Sequence, residues 1–384
     1  MATAFCYFCE MQRGRIIVCV TNDLVTDNRV DKVCKFLHNA GYEVLLVGRK
    51  LKSSLALNHR NYRTHRMKLL FSKGAFFYAE FNLRLFLLLL FRRSKSILSN
   101  DLDTLLAAYC AASIKRNKLY YDTHELFTEV PELIHRPRVQ KIWERIEAYV
   151  FPKLDAIYTV NESIADFYSK KYKKNVQIVR NVSPLWQADK IPSREDLNLP
   201  EDKTLLIVQG AGINIDRGIE ELIEAMPNIR EDCTLIIVGS GDVLELLKTR
   251  VAALNLEERV IFFGKRPYQE MMAFTHHASW GFSLDKDTNM NYRFSLPNKI
   301  FDYIHAETPI ICTRLFEISK VIDKYEVGVF IPSHHPTELA QFINKTVADT
   351  EQHATFVANC KKAALELCWE NEEQVLRQIY AIHD

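Results

Sequence analysis

Short apolar runs alternate with segments of helical spacing along nearly the whole chain, and the alternation restarts once, after a proline-rich interruption. This order constrains the fold more than any other feature. A strand, an amphipathic helix and a second strand in succession make a βαβ unit, whose strands are parallel and whose crossover is right-handed. Arg15-Ile16-Ile17-Val18-Cys19-Val20 opens the first series. Residues 28–40 then carry Val30, Val33, Cys34 and Leu37 at helical spacing, Gly41 stops them, and 43–47 is the next strand. Further strands are predicted at 97–99, 119–121, 156–159 and 176–179. Between 183 and 200 the sequence turns to SPLWQADKIPSREDLNLP, with three prolines, mixed charge and no period. A second series follows, with strands at 205–208, 234–238, 260–263, 280–284, 309–312 and 327–330. Its helices open at Gly218, Gly241, Tyr268, Asn298, Phe316 and Pro336. At 384 residues, two domains of similar size fit the length. The expectation is an α/β chain of two doubly wound domains, 14–184 and 201–367, joined by a linker at 185–200. Their strands point their carboxyl ends at a cleft between them.

Lysine plus arginine number 50 and aspartate plus glutamate 48, a net charge of +2, so no global field marks a nucleic-acid binder. The nine cysteines are scattered through apolar patterns, which fits a reduced, cytoplasmic protein. Only Cys6 and Cys9 stand at metal-ligand spacing. No second ligand pair follows them, and they sit in a leader, 1–13, that contains Glu10 and lacks the long apolar core of a signal peptide. A metal or redox role for this pair is the minor reading.

One segment departs from amphipathic spacing. From Phe76 to Phe91, FFYAEFNLRLFLLLLF is apolar almost all round and ends in Arg92-Arg93, with Lys95 beyond. Its uninterrupted run, Leu85 to Phe91, is far shorter than the ~20 residues that cross a bilayer. Two readings stand: a buried helix, or a helix over Phe76–Lys95 that dips into a membrane face with its basic residues on anionic headgroups.

The stretch RFSLPNKIFDYIHAETPIICT, from Arg293 to Thr313, carries the densest chemistry. A polar loop meets Pro297, a helix opens at Asn298, Lys299 and Asp302 lie on one face of it, and a buried strand follows. Free amides with the helix dipole suit a diphosphate, the ammonium adds charge, and the carboxylate suits a sugar diol. A solvated Lys/Asp pair behind an Asn298 cap is the plain alternative. Earlier in that domain, Gln209-Gly210-Ala211-Gly212 leads to Arg217-Gly218. Gly210 and Gly212 let amides approach an anion, and Arg217 adds a fork of donors, although tight turns also use glycine for steric reasons alone. Gly239-Ser240-Gly241 is a similar turn with no nearby cation and reads as structural. Lys265 and Arg266, after the strand 260–263, reach a cleft edge where a nucleobase can rest. In the first domain Tyr121-Asp122-Thr123-His124-Glu125 ends a strand. There His124 can hold a sugar hydroxyl or move a proton, with Asp122 or Glu125 orienting its ring, or can simply be solvated. TNDLVTDNR, 21–29, puts Asp27, Asn28 and Arg29 after the first strand, facing the acceptor side, with helix capping the plain role for Asp27.

Taken together, DNRVDKVCKFLHNAGYEVLLVG, SNDLDTLLAAYCAA, YYDTHELF, DAIYTVNESIADFY, RGIEELIEAMP, LIIVGSGD and SLPNKIFDYIHAETPII occur in an order that resembles retaining glycosyltransferases of the GT-B fold, family 4 type. The resemblance runs from about Arg15 to the end. It implies two Rossmann-like domains and a last helix, within 368–384, that returns to the first domain. It also implies sugar transfer from a nucleotide-diphosphate sugar, held by the second domain, to a saccharide or lipid-linked acceptor held by the first, with no cofactor and no metal. By position, Arg217 and the amides near Ser295 and Leu296 hold the diphosphate with Lys299 assisting, Asp302 takes the place of the ribose-binding glutamate, and His124 meets the donor sugar. Two features depart from the family. Phe294 stands where its first paired glutamate belongs, leaving Asp285 or Asp287 to contact the sugar, and the glycine-rich loop after the first strand is replaced by 21–29. The expectation is therefore a metal-independent hexosyltransferase of surface-glycan synthesis, cytoplasmic and at the inner membrane face. A nucleotide-sugar 2-epimerase or a non-catalytic nucleotide-sugar binding protein are the alternatives.

Overall fold

The structure is a computed structural model that describes residues 13–25, 27–188 and 190–382. Cys6, Cys9 and nearly all of the leader lie outside the described residues. The chain divides into two compact units, one running to Arg180 and resuming at Glu373, the other Asn181–Glu372.

In the first unit seven strands form one parallel sheet: β1 (Gly14–Asp23), β2 (Tyr42–Lys50), β3 (Arg63–Lys68), β4 (Ser96–Asn100), β5 (Lys118–Thr123), β6 (Ala156–Thr159) and β7 (Gln177–Ile178), in the order β3-β2-β1-β4-β5-β6-β7. The central strands are apolar because both faces are covered; Ile16 through Cys19 are fully buried. Helix α1 (Asn28–Asn39) buries Val30, Val33, Cys34 and Leu37, as the spacing predicts, and Asp27 caps it by accepting the Val30 N–H. Helices α2 (Gly74–Phe91) and α3 (Leu102–Lys115) follow. Strand β3, RTHRMK, is absent from the sequence-based expectation because it lies at the sheet edge and of its side chains only Met67 is buried. The strand expected at 176–179 shortens to two residues, since the Val179 carbonyl turns to Arg29.

The second unit repeats the plan with β8 (Thr204–Gly210), β9 (Cys233–Gly239), β10 (Val260–Phe262), β11 (Trp280–Ser283), β12 (Ile310–Cys312) and β13 (Gly328–Phe330), all parallel in the order β10-β9-β8-β11-β12-β13. Its core joins Leu206, Val208, Ile237, Trp280 and Ile311 to the inner faces of helices Ile219–Ala225 and Pro336–Ala348. Residues 373–382 pack with the first unit, where the Tyr380 ring lies 4.5 Å from that of Tyr120 and its hydroxyl 3.3 Å from that of Tyr158.

Both sheets reverse their strand order beside their first strand, between β1 and β4 and between β8 and β11. In open α/β sheets the crevice past the strand ends at such a switch point is where ligands bind.

Candidate functional site

At the second unit's switch point, β8 ends in Gly210 and β11 runs into Leu284 and Asp285. Asp285 is fully buried, accepts from Ser283 Oγ at 3.0 Å and pairs with the Arg217 guanidinium. The turn that brings Arg217 there needs the left-handed region on both sides of it, at Asp216 (φ 64°) and Gly218 (φ 72°). Glycine is required at 218, because a Cβ there would lie 2.4 Å from the Leu284 carbonyl oxygen. The guanidinium also rests 4.5 Å over the Tyr292 ring. Lys299, in the first turn of helix Asn298–His305, contributes the second cation. Burial would raise the Asp285 carboxyl, but Lys299 and Arg217 together hold it below the usual carboxylate range. Burial lowers the Lys299 ammonium, Asp285 opposes that shift and Arg217 adds to it. Arg217 thus pairs with the carboxylate directly while Lys299 acts on it through space without an ion pair, two cations to one carboxylate in a low-dielectric place.

Three features aim that charge at an anion. The Arg217 Nε is buried without a hydrogen-bond partner, and so is the Ser295 hydroxyl. Helix Asn298–His305 starts behind Pro297 with no side-chain cap, which leaves its first amides open. Gly210 stands at φ 118°, which by itself favours glycine, whereas a Cβ at Gly212 would meet open space, so packed protein does not account for the glycine there. Gly239 and Gly241 differ: a Cβ at either would fall within 1.9 Å of a backbone oxygen, of Gly210 or Ile213, which confirms them as structural.

The other expected donor residues scatter. Lys299 and Asp302 do not act as one polar face. Asp302 is buried and accepts from Ser183 Oγ at 3.1 Å, Tyr268 Oη at 3.0 Å and Gln209 Nε2 at 3.4 Å. Its carboxylate ties strand, helix and the unit's first residues together, in place of the open diol acceptor expected. Asp287 is exposed and paired with Arg293 at 3.0 Å, so of the two candidate carboxylates only Asp285 belongs to the cluster. Phe294 stacks edge-on to Phe316, a packing role. Leu296 is half-buried in the loop before the helix. Lys265 and Arg266 are exposed, and Arg266 is occupied by the Phe263 carbonyl and Glu270.

At the first unit's switch point β4 ends in Asn100-Asp101 and the neighbouring β5 in Asp122-Thr123. His124 sits against both carboxylates, Nδ1 at 3.2 Å from Asp101 and Nε2 at 3.2 Å from Asp122. The Asp101 carboxylate also accepts the His124 backbone N–H at 3.0 Å, which is why it makes no cap bond to α3. Asp101 holds this position at φ 58°, a region that non-glycine residues seldom enter. Burial would lower the His124 imidazolium, yet Asp101 and Asp122 outweigh it and raise the ring well above its ordinary value. Burial would raise Asp122, and the adjacent Arg29 and His124 hold it low instead. Arg29 is a correction: expected to face an acceptor, it is buried and gives two hydrogen bonds to Asp122. Asp27 is the α1 cap, Asn28 is exposed beside it, and the Glu125 carbonyl receives the Thr123 hydroxyl. Asp101 was not singled out from the sequence; the SND segment ending a predicted strand is the one signal that points to it.

Residues 189–363 match the family glycosyl transferases group 1. An uncharacterized glycosyltransferase of Methanocaldococcus jannaschii is 22% identical over 275 residues, which cover 67% of this chain and 65% of that protein. The chain thus spans just under two thirds of that relative. Among solved structures, sucrose-phosphate synthase from Thermosynechococcus elongatus superposes with a TM-score of 0.76 at 18% identity, over 97% of this chain and 100% of its own. Anabaena HepE in complex with UDP-glucose gives 0.72 at 14% identity, over 96% and 99%.

Proposed function

Because the chain has the GT-B fold and its residues 189–363 match the group 1 glycosyltransferases, we propose that it is a glycosyltransferase taking its sugar from a nucleotide-diphosphate donor. The observation that carries this reading is the Arg217–Asp285–Lys299 cluster, with the unpartnered Arg217 Nε and Ser295 hydroxyl beside an uncapped helix start. A diphosphate supplies the acceptor oxygens these donors lack. On this reading the cations and amides, with no metal ion, neutralise the leaving diphosphate, and His124 as imidazolium meets the donor sugar. The anomeric configuration is retained, a hexose is transferred, and a saccharide or lipid-linked acceptor of surface-glycan synthesis receives it at the cytoplasmic side of a membrane. HepE was solved with UDP-glucose, so UDP and UDP-sugars are the first probes.

Titration calorimetry with nucleoside diphosphates tests the donor site. Binding that weakens at least tenfold in Arg217→Gln and in Lys299→Gln supports the assignment, and unchanged binding in both ends it. Product analysis with donor, with and without acceptor, then separates transfer from epimerisation, which alters the donor alone, and from binding without turnover.

A further inference from the structure

We propose that α2 and the β3 edge form a docking face for an anionic lipid bilayer, with one headgroup phosphate seated in a basic recess between them. The proposal goes beyond the transferase reading and stands without it.

Helix α2 has the length and apolar composition of a bilayer-crossing helix, yet it lies against the first unit on a single stripe, burying Phe77, Phe81, Leu85 and Leu89. A second stripe at helical spacing faces outward: Phe76 is 72% exposed, Leu83 61% and Phe91 80%, with Leu87 between them. The loop before the helix extends this face. Glu80 accepts the backbone N–H groups of Leu70 and Phe71 at 2.9 to 3.0 Å, and the Phe71 ring packs 5.3 Å from that of Phe76. Both Leu70 and Phe71 are exposed, so a carboxylate on the helix fixes apolar residues at the surface instead of tucking them away. Soluble chains rarely present a contiguous apolar face of this kind without a use for it.

Charge selects the occupant. Exposed Arg92, Arg93 and Lys95 follow the helix, and Lys73 precedes it. At the C-terminal end of α2 a recess of about 280 Å³ is lined by Leu45, Arg63, Thr64, His65, Leu88 and Arg92. Two guanidiniums, that of Arg63 also 3.3 Å from Glu43, and an imidazole beside two leucines match a phosphate attached to an acyl chain better than a protein surface. The pattern of outward aromatic and leucine side chains rimmed by arginine is that of a helix lying in the interface plane.

Flotation of the full chain with phosphatidylcholine vesicles, with and without phosphatidylglycerol, tests this. Binding is expected to the mixed vesicles only and to weaken with added salt. Leu83→Ser with Phe91→Ser, and separately Arg63→Gln with Arg92→Gln, are each expected to reduce it about tenfold or more while the melting temperature stays put. No binding to anionic vesicles, or wild-type binding by both pairs, overturns the proposal. So does a free chain that sediments as a dimer and becomes monomeric on Leu83→Ser, since a second copy then covers the face. Inorganic phosphate that stabilises the wild type but not Arg63→Gln with Arg92→Gln, without vesicle binding, assigns the recess to a free anion and likewise overturns it. Nucleoside diphosphate binding is expected to be unchanged in these variants, so failure here leaves the transferase reading intact.

Discussion

Arg29 closes on Asp122 with hydrogen bonds of 3.0 Å from Nε and 2.8 Å from a terminal nitrogen, and its other arm reaches the Val179 carbonyl at 2.9 Å. Both side chains are almost fully removed from solvent. Two desolvated charges gain little over apolar residues of the same shape, but removing one strands the other. Arg29→Met is therefore expected to destabilise the first unit by about 3 to 5 kcal/mol, read from urea denaturation, and Arg29→Met with Asp122→Asn to recover part of that loss. The same pair fixes an acid limit. Asp122 is held below its unfolded value, so its contribution is present above the ordinary carboxylate pKa of about 3.9 and is lost as pH falls through the folded value.

His124 titrates in the opposite sense. Its pKa is raised, so the stability it contributes is complete below about pH 6.5, its unfolded value, and is lost as pH rises through the folded one. If transfer uses the imidazolium, activity follows the same alkaline limb. Asp101→Asn removes the largest raising influence and is expected to move that limb to lower pH, in activity and in a direct NMR titration of the ring alike. His124→Ala is expected to abolish transfer while leaving nucleoside diphosphate binding within about twofold, about 0.4 kcal/mol. A His124→Ala chain that transfers normally rules out its role.

Much of this was legible in the sequence, for reasons specific to particular residues. The βαβ order is written in apolar period, so β8 to β13 and the helices at Tyr268, Asn298, Phe316 and Pro336 begin within a residue or two of expectation. Arg217 and Lys299 were visible because a cation beside a glycine turn or a helix start is a local pattern. Asp101 was hidden because its importance lies in a backbone angle and in a partner 23 residues away. Arg29 and Asp302 misled because a charged side chain after a strand or on a helix reads as accessible, whereas each has buried partners that only the folded sheet supplies. Apolar residues on both sides of α2 left a buried helix and a membrane-facing one both open, and the helix is buried on one stripe and exposed on another.

Asp103 adds a further pH-dependent term. Burial, reinforced by Asp101, lifts its carboxyl to about 7 against the pull of the Thr21 hydroxyl hydrogen bond. Its folded pKa thus exceeds its unfolded one, the folded chain holds the extra proton, and stability falls as pH rises from about 4 to about 7 and stays at the lower level beyond. Asp103→Asn cannot ionise and is expected to flatten that slope. At pH 8 its advantage over the wild type is of the order of 4 kcal/mol less the cost of the amide's unmatched donor, about 1 to 3 kcal/mol. Denaturation across pH 4 to 8 reads the difference in slope, and parallel curves for the two chains dismiss the coupling.

Gly218 links fold to site in the second unit. It stands at φ 72° next to Arg217, and a side chain there would strike the Leu284 carbonyl oxygen and Cβ, next to Asp285. Gly218→Ala therefore combines a left-handed backbone penalty of about 1 to 2 kcal/mol with a displacement of the turn that seats the guanidinium on its carboxylate. A total loss of about 2 to 4 kcal/mol is expected in denaturation, the sum of that backbone term and an overpacking term of similar size. Nucleoside diphosphate affinity is expected to fall at least tenfold in protein that is still folded. Gly212→Ala is the internal comparison, because its Cβ enters open space. It is expected to keep the melting temperature while weakening the nucleotide if that space is where the diphosphate lies. A Gly212→Ala chain that binds as tightly as the wild type places the diphosphate elsewhere along the Arg217–Lys299 cluster.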